Sequence, residues 1–425
     1  MLLKDKNILL GVTGSIAVYK AIELARLYKK AGANVKVIMT QAAKKFINPL
    51  TFETISQNKV LDDTNEDWST DSVNNHIAIG KWADVFVIAP CSANTINKLN
   101  NGIADNILTQ TALAYDRIKL VAPAANTKMI KSPITQASFK MLKLCNYKFI
   151  NTTTKELACK DIGDGAMAEV DTIFHGTARE LLVDPYWKDR MVVLNGGASI
   201  EKIDDVRYIS NFSSGKMASS LALALYYKGA DACFIKFKNV EFKERNFIHT
   251  IEVDSTQDAL AFTGDAIRIA KKGKLSEATL MDDSTIHNIQ KKPYFFGVAA
   301  VSDYIPKYPQ NGKIKKDDIG DSWNLELKQN EDILKSINDN EIYTIGFKAE
   351  FDEKSALENG KNMLERKNLD GVCLNLLNTN SNNFGSDTNE ITYIHKNGQT
   401  PLPKASKLDL SLDLLDTLKA LANDE

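Results

Sequence analysis

Short apolar runs alternate with helical patterns along the first half of the chain. Asn7–Thr13 is an apolar run broken by Gly11, and apolar positions at helical spacing follow from Ala17 to Lys30. Val35–Thr40, Ala83–Pro90 and Ile118–Pro123 repeat the pattern as further strands. Near-continuous apolar strands alternating with helices predict a parallel sheet covered on both faces. Ligands of such sheets sit beyond the carboxyl ends of the strands. Here those ends are Gly11–Ser15, Thr40, Ala89–Asn94 and Ala122–Asn126, all rich in small or polar residues.

The pattern stops at Val183–Arg190, a polar stretch containing Pro185, and restarts with the strand Met191–Leu194. This places a boundary near Asp184, with domains over 1–184 and 185–425. The second half alternates again. A helix near Lys216–Lys228, a strand at 231–237 and a helix at 255–271 precede strands near Tyr294–Ala300, Thr344–Lys348 and Gly371–Leu374. Lys236–Asn246 and Lys271–Lys292 are charged, weakly periodic and read as solvated insertions. The expected fold class is α/β: two open, mainly parallel Rossmann-like domains.

Composition narrows the partners. With 53 basic against 54 acidic residues, the chain has no charge excess suited to general nucleic-acid binding. The five cysteines are scattered without paired spacing, so neither a disulfide frame nor a zinc site is indicated. No stretch approaches the ~20 apolar residues that span a bilayer. The N-terminus runs straight into a strand without a signal-type core. A cytoplasmic chain acting on small molecules, away from membranes, is the expectation.

In the first half, Gly11-Val-Thr-Gly-Ser lacks the full dinucleotide fingerprint. A glycine turn opening a helix still presents N–H groups to a phosphate, with Thr13 and Ser15 as hydroxyl donors. An ordinary strand-to-helix turn explains it equally well. Cys91-Ser-Ala-Asn-Thr95 is a second polar strand end on the same edge. His76 precedes a helix leading into Ala83–Pro90; a lone histidine is usually structural, yet imidazole can move protons near neutral pH. Cys159 lies in a glycine-punctuated loop beside Lys160 and Asp161, where a thiol can donate a proton, although most lone cysteines are inert.

In the second half, Asn195–Asp204 is another glycine turn after a strand. Ser210-Asn-Phe-Ser-Ser-Gly-Lys-Met217 suits a phosphate cradle without Walker A spacing, or an incidental polar turn. Lys313-Ile-Lys-Lys316 is ordinary solvated charge, unless it folds over a triphosphate and neutralises leaving pyrophosphate.

The segments Gly11–Lys20, Thr40–Ser56, His76-Ile77, Ala89–Leu108, Pro123–Asn126 and Leu157–Glu169 together resemble the flavin-dependent cysteine decarboxylases, in family order. Specifically, they resemble the phosphopantothenoylcysteine decarboxylases. The resemblance implies FMN as cofactor, which oxidises the cysteine side chain so that CO₂ can leave and then returns hydride to the ene-thiol. It implies His76 as the active-site histidine, Asn126 as holder of the substrate carboxylate and Cys159 as proton donor. Gly14, Ser15, Thr40, Ser92 and Asn94 fall on its FMN-contacting segments. Lys160 and Ala166 depart from the family's glycine and arginine in the loop that clamps the substrate, and Ala125 from its methionine.

Val206–Met217, Ala299–Tyr304, Lys313–Lys316, Ile345–Glu350, Lys367–Asp370 and Phe384–Asn389 are similar, in order, to phosphopantothenate–cysteine ligases. That resemblance implies CTP and Mg²⁺. Asn211 would handle the acyl-nucleotide, Lys313 the nucleotide phosphates, and Asp303 and Phe347 the nucleotide-binding edge. Ala198 and Ala218 replace family glycines, and Ala198 would crowd its turn if its φ were positive. Taken together, the halves resemble the fused decarboxylase–ligases of coenzyme A biosynthesis. These join 4′-phosphopantothenate to cysteine and decarboxylate the product to 4′-phosphopantetheine. A homo-oligomer, a dodecamer where threefold and twofold contacts combine, is implied as well. An active ligase fused to a degenerate or regulatory flavin-binding domain is the alternative. A different flavin enzyme would leave the second half unexplained, and a nicotinamide dehydrogenase would need the missing fingerprint.

Overall fold

The structure is a computed structural model that describes residues 1–69, 72–156, 162–243, 247–281, 285–315, 320, 322–337, 339–377 and 385–423. These form two compact units, Met1–Leu182 with Glu277–Ile286, and Val183–Ser276 with His287–Glu425.

In the first unit, strands β1 (Asn7–Val12), β2 (Asn34–Met39), β3 (Val85–Cys91), β4 (Lys119–Pro123) and β5 (Tyr147–Phe149) form one sheet in the order β2-β1-β3-β4-β5. All four neighbouring pairs are parallel. Every residue of β3 and β4 is buried, which is why both read as apolar runs apart from Lys119 at the start of β4. Leu9, Phe86, Ile88 and Val121 pack in one core cluster. The helix Val18–Lys30 buries Val18, Ala21, Leu24, Ala25 and Tyr28, a stripe at helical spacing. A separate antiparallel hairpin, β6 (Thr153–Glu156) and β7 (Ile162–Ala166), brackets residues 157–161.

Lys20, Asp62 and Lys119 are buried charged residues of this unit, and Lys119 shows the largest effect of burial. Lys119 is buried, donates to the Tyr115 carbonyl at 2.6 Å and stands 4.8 Å from the Tyr147 ring centre. Burial pushes its ammonium down to about 8. Between pH 8 and the lysine's ordinary range near 10.4, the unfolded chain therefore binds a proton that the folded one has released. The first unit is expected to gain stability as pH rises through that window. Lys119→Met should flatten the rise, as read from denaturant midpoints between pH 7.5 and 10.5.

The second unit holds an eight-stranded sheet in the order His249–Val253, Asp231–Phe237, Met191–Gly196, Tyr294–Gly297, Tyr343–Glu350, Gly371–Leu376, Thr388–His395, Gly398–Ser406. The first six run parallel. The last two add on antiparallel and were not legible as strands. Pro401 and Pro403 break the alternation in Gly398–Ser406, and that strand takes the sheet edge where a missing N–H is tolerated.

Lys236–Asn246 does not behave as a solvated insertion throughout. Val240 and Phe242 are buried in the main core, with Phe242 edge-on to Phe234 at 5.1 Å. Three apolar residues, Phe237 among them, are too few to show a period but enough to pin the segment to the core. Ala198 is fully buried and lies outside the positive-φ residues; Gly197, at φ 101°, takes the left-handed position, so the alanine adds no strain. Among the described residues, no helix is long and apolar enough to cross a membrane.

Candidate active sites

In the first unit the strand order reverses between β1 and β3, so a crevice opens beyond their carboxyl ends. Thr13 joins those ends. Its hydroxyl donates to the Pro90 carbonyl at 2.8 Å and accepts from the Ser92 amide at 2.9 Å, and the side chain is buried. The expectation that Thr13 donates to a phosphate is thereby corrected, because its hydrogen is already spent within the protein. Thr13→Val should leave the Ser92 N–H unpaired and cost about 1–3 kcal/mol, read as a lowered denaturant midpoint of the first unit.

A cavity of about 910 Å³ occupies the crevice. Gly14, Ser15, Thr40, Ser92, Asn94 and Asn126 all line it. Thr40 and Ser92 are N-cap residues whose hydroxyls accept from Ala43 N and Thr95 N. Gly14 is pressed against the neighbouring helix, where an added Cβ would fall 2.6 Å from Ala42 Cβ. Ile16, Ala93, Ala124, Met129 and Met167 supply apolar wall.

The hairpin Thr153–Ala166 docks beside Asn126. The Ala125 amide donates to the Gly165 carbonyl at 3.1 Å, and Lys131 pairs with Asp164 at 3.1 Å. Asn126 caps the next helix by accepting from Lys128 N at 2.9 Å. Cys159 and Lys160 lie outside the described residues. Cys91 is no substitute acid, since burial raises its thiol far above the usual range.

Sequence reasoning did not single out the cations of this wall. Lys20 and Lys155 both line the cavity, and both reach Glu169, at 3.4 and 2.5 Å. The Lys155 hydrogen bond holds the Glu169 carboxyl below its usual range. Lys20 falls on the helix after the glycine turn, a position whose only signal is that turn; Lys155 had none.

His76 opens the helix His76–Trp82, which Asn75 caps. Its Nδ1 lies 2.8 Å from Glu66 Oε1, and the Trp68 ring meets it edge-on at 4.8 Å. The structure does not place His76 among the residues lining its own chain's cavity.

In the second unit the order reverses between Met191–Gly196 and Tyr294–Gly297. Asn195 Oδ1 accepts from the Val298 and Ala299 amides at 2.9 and 3.0 Å, and the Ala300 amide donates to the Gly197 carbonyl at 2.8 Å. Asn211 Nδ2 donates to the Val301 carbonyl at 3.0 Å, which brings that exposed residue to the same edge. Asp303 is exposed beside it, and its carbonyl accepts from the Asn330 amide at 2.8 Å. Lys313 is exposed on the following loop. Phe347, on Tyr343–Glu350, is half-buried against the main core. Gly196 admits no side chain: a Cβ there would stand 2.1 Å from Ala218 Cβ, so the helix Lys216–Tyr227 sits directly on the turn. No group of three or more metal-ligating side chains occurs among the described residues.

Residues 2–182 match the family model "Flavoprotein". Residues 187–272 and 266–421 match "DNA/pantothenate metabolism flavoprotein C-terminal domain". The coenzyme A biosynthesis bifunctional protein CoaBC of Bacillus subtilis is 35% identical over 99% of this chain and 98% of its own length. That of Escherichia coli is 31% identical, covering 98% of each. This chain belongs to the coenzyme A biosynthesis bifunctional proteins. It is a ligase and decarboxylase of that pathway, with a flavoprotein domain first. Among solved structures, a PPC decarboxylase mutant complexed with pantothenoylaminoethenethiol aligns at TM-score 0.38 and 33% identity, over 41% of this chain and 97% of that one. The C-terminal domain of a CoaBC protein aligns at TM-score 0.42 and 24% identity, over 56% of this chain and 98% of that one. In this bifunctional family member, the N-terminal candidates other than His76 and Cys159 converge on the cavity, and Asn211 and Asp303 share the second sheet's switch point.

Proposed function

We propose that the second half joins 4′-phosphopantothenate to cysteine with CTP and Mg²⁺, and that the first half decarboxylates the product with FMN to 4′-phosphopantetheine. The observation carrying this reading is the cavity at the first sheet's switch point, where Asn126 and the hairpin bearing Cys159 meet the hydroxyl-capped turns.

The residues present fit FMN. Ser15, Thr40 and Ser92 offer hydroxyls beside helix N-termini for its phosphate, and Ile16, Ala93 and Met129 offer apolar wall for its ring. Bound FMN would supply two-electron oxidation and the return of hydride. The chain's own residues do the rest. Asn126 holds the substrate carboxylate, and Lys20 and Lys155 give that wall one more positive charge than Glu169 cancels. Cys159 carries the proton at Sγ that goes to the ene-thiol. His76 lies outside its own chain's cavity lining, so the reading has a neighbouring copy supply it, which accords with a homo-oligomer whose symmetry reaches a dodecamer.

In the second half, the phosphopantothenate carboxylate attacks the α-phosphate of CTP, and the bond to pyrophosphate breaks. The cysteine amine then displaces CMP. Lys313 neutralises phosphate charge, Asn211 holds the acyl-nucleotide, and Asp303 and Phe347 border the nucleotide. Mg²⁺ would be held chiefly by the phosphate oxygens of the nucleotide. The reducing cytoplasm is the proposed compartment, in keeping with the free thiols Cys91, Cys145, Cys233 and Cys373.

Two readouts test the finer assignments. Heat-denatured protein should release FMN, identified by mass, and pyrophosphate release should prefer CTP over ATP. Release of a different flavin, or a preference for ATP, overturns the corresponding assignment.

A further inference from the structure

Lys313 stands on an exposed loop, yet both of its chain neighbours are fixed. The Gly312 amide donates to Asp205 Oδ2 at 2.7 Å, and the Ile314 amide to Asp204 Oδ2 at 3.2 Å. The Ile314 carbonyl accepts from Arg207 Nη2 at 2.9 Å. Further back, the Gln310 amide donates to the Ile203 carbonyl at 2.9 Å.

Asp204 is the centre of this tie. It is 1% exposed. Its carboxylate accepts from the Val206 and Arg207 amides at 2.8 and 2.7 Å, from Arg207 Nε at 2.9 Å, and from Arg207 Nη2. The Arg207 guanidinium lies 4.7 Å from the Trp323 ring centre. The Arg207 side chain first, and then the backbone amides, hold the Asp204 carboxyl far below its usual range. It stays ionised throughout the working pH range.

This arrangement is costly unless every lone pair is used, and here five donors use them. It does not stabilise the sheet core, because its partners belong to two loops. One loop carries Lys313, and the other leads within seven residues to Asn211. We infer that Asp204 is a positioning residue for the nucleotide step: through Arg207 and the Ile314 amide it fixes the backbone beneath Lys313 relative to the segment bearing Asn211. This rests on the proposed role of Lys313. A lysine on a wandering backbone would spend its binding energy on ordering, and a misplacement near 1 Å is enough to lose about a hundredfold in rate.

A double-mutant cycle on the full-length protein tests it, with Mg²⁺, CTP and 4′-phosphopantothenate and pyrophosphate as the readout. Asp204→Asn is expected to slow pyrophosphate formation at least tenfold. Asp204→Asn/Lys313→Ala should be no slower than Lys313→Ala, because Asp204 acts only through that lysine. CO₂ release from supplied phosphopantothenoylcysteine should keep its wild-type rate. Arg207→Lys, which keeps the charge but loses the reach to the Ile314 carbonyl, is the milder second variant for the same cycle should Asp204→Asn fail to fold. It should slow pyrophosphate release and be likewise non-additive. Wild-type rates in the variant used, or penalties that multiply with that of Lys313→Ala, overturn the inference. A wild-type rate in Lys313→Ala itself would instead overturn the role of Lys313.

Discussion

Replacing Gly165 by alanine is expected to stop decarboxylation while leaving ligation intact. The added Cβ would fall 2.0 Å from the Ala125 carbonyl oxygen, 3.0 Å from the Thr127 amide nitrogen and 3.1 Å from the Ala125 carbonyl carbon. All three are backbone atoms, so no side chain can turn aside. Relief requires the strand β7 to lift away from the turn that carries Asn126, breaking the bond from the Ala125 amide to the Gly165 carbonyl. The hairpin bearing Cys159 lifts with it. A shift near 1 Å between the proposed substrate holder Asn126 and the proposed proton donor Cys159 costs on the order of a hundredfold, and 2.0 Å is well inside contact distance. CO₂ release should fall at least a hundredfold, with pyrophosphate release from 4′-phosphopantothenate and CTP unchanged. An overpacking cost of about 1–3 kcal/mol should lower the first unit's denaturant midpoint as well. Undiminished CO₂ release would mean that the hairpin does not work against Asn126.

The mirror-image result is expected of Lys313→Ala. The side chain is exposed, so its loss leaves the fold untouched. In the role proposed for Lys313, what disappears is a positive charge over phosphate oxygens as they gain charge in the transition state. Removing one preorganised group of that kind costs about 10²–10³ in rate. Pyrophosphate formation should fall by that factor, and Lys313→Arg should recover part of it. CO₂ release from supplied phosphopantothenoylcysteine should stay at the wild-type rate. A loss of both activities in Lys313→Ala would place the residue in a structural role.

The two sheets were legible because buried parallel strands leave apolar runs such as Val85–Cys91 and residues 120–123. The switch points followed from their glycine and hydroxyl ends. Three things were hidden for physical reasons. Thr13 has the right chemistry for a phosphate, but its strand-end position makes it a brace between β1 and β3. Lys20 and Lys155 become neighbours only when the Thr153–Ala166 hairpin folds over the first helix, and no local pattern encodes that pairing. The last two strands, Thr388–His395 and the edge strand Gly398–Ser406, have one mostly exposed member with two prolines, so alternation never emerges. His76 was legible only as a residue just before a helix, whereas it is the first residue of that helix, and its absence from the cavity lining could come only from the three-dimensional arrangement. Phe347 belongs to the opposite case: its motif was visible, and its packing against the core was not.

The most direct test gives the purified full-length protein 4′-phosphopantothenate, cysteine, CTP and Mg²⁺, and follows pyrophosphate, CO₂ and product mass together. The account predicts pyrophosphate and CO₂ in equal amounts and 4′-phosphopantetheine as the product, with Ala166 tolerated in the clamp. Pyrophosphate with phosphopantothenoylcysteine accumulating and no CO₂ would contradict it, leaving a working ligase joined to a flavin domain that does not decarboxylate.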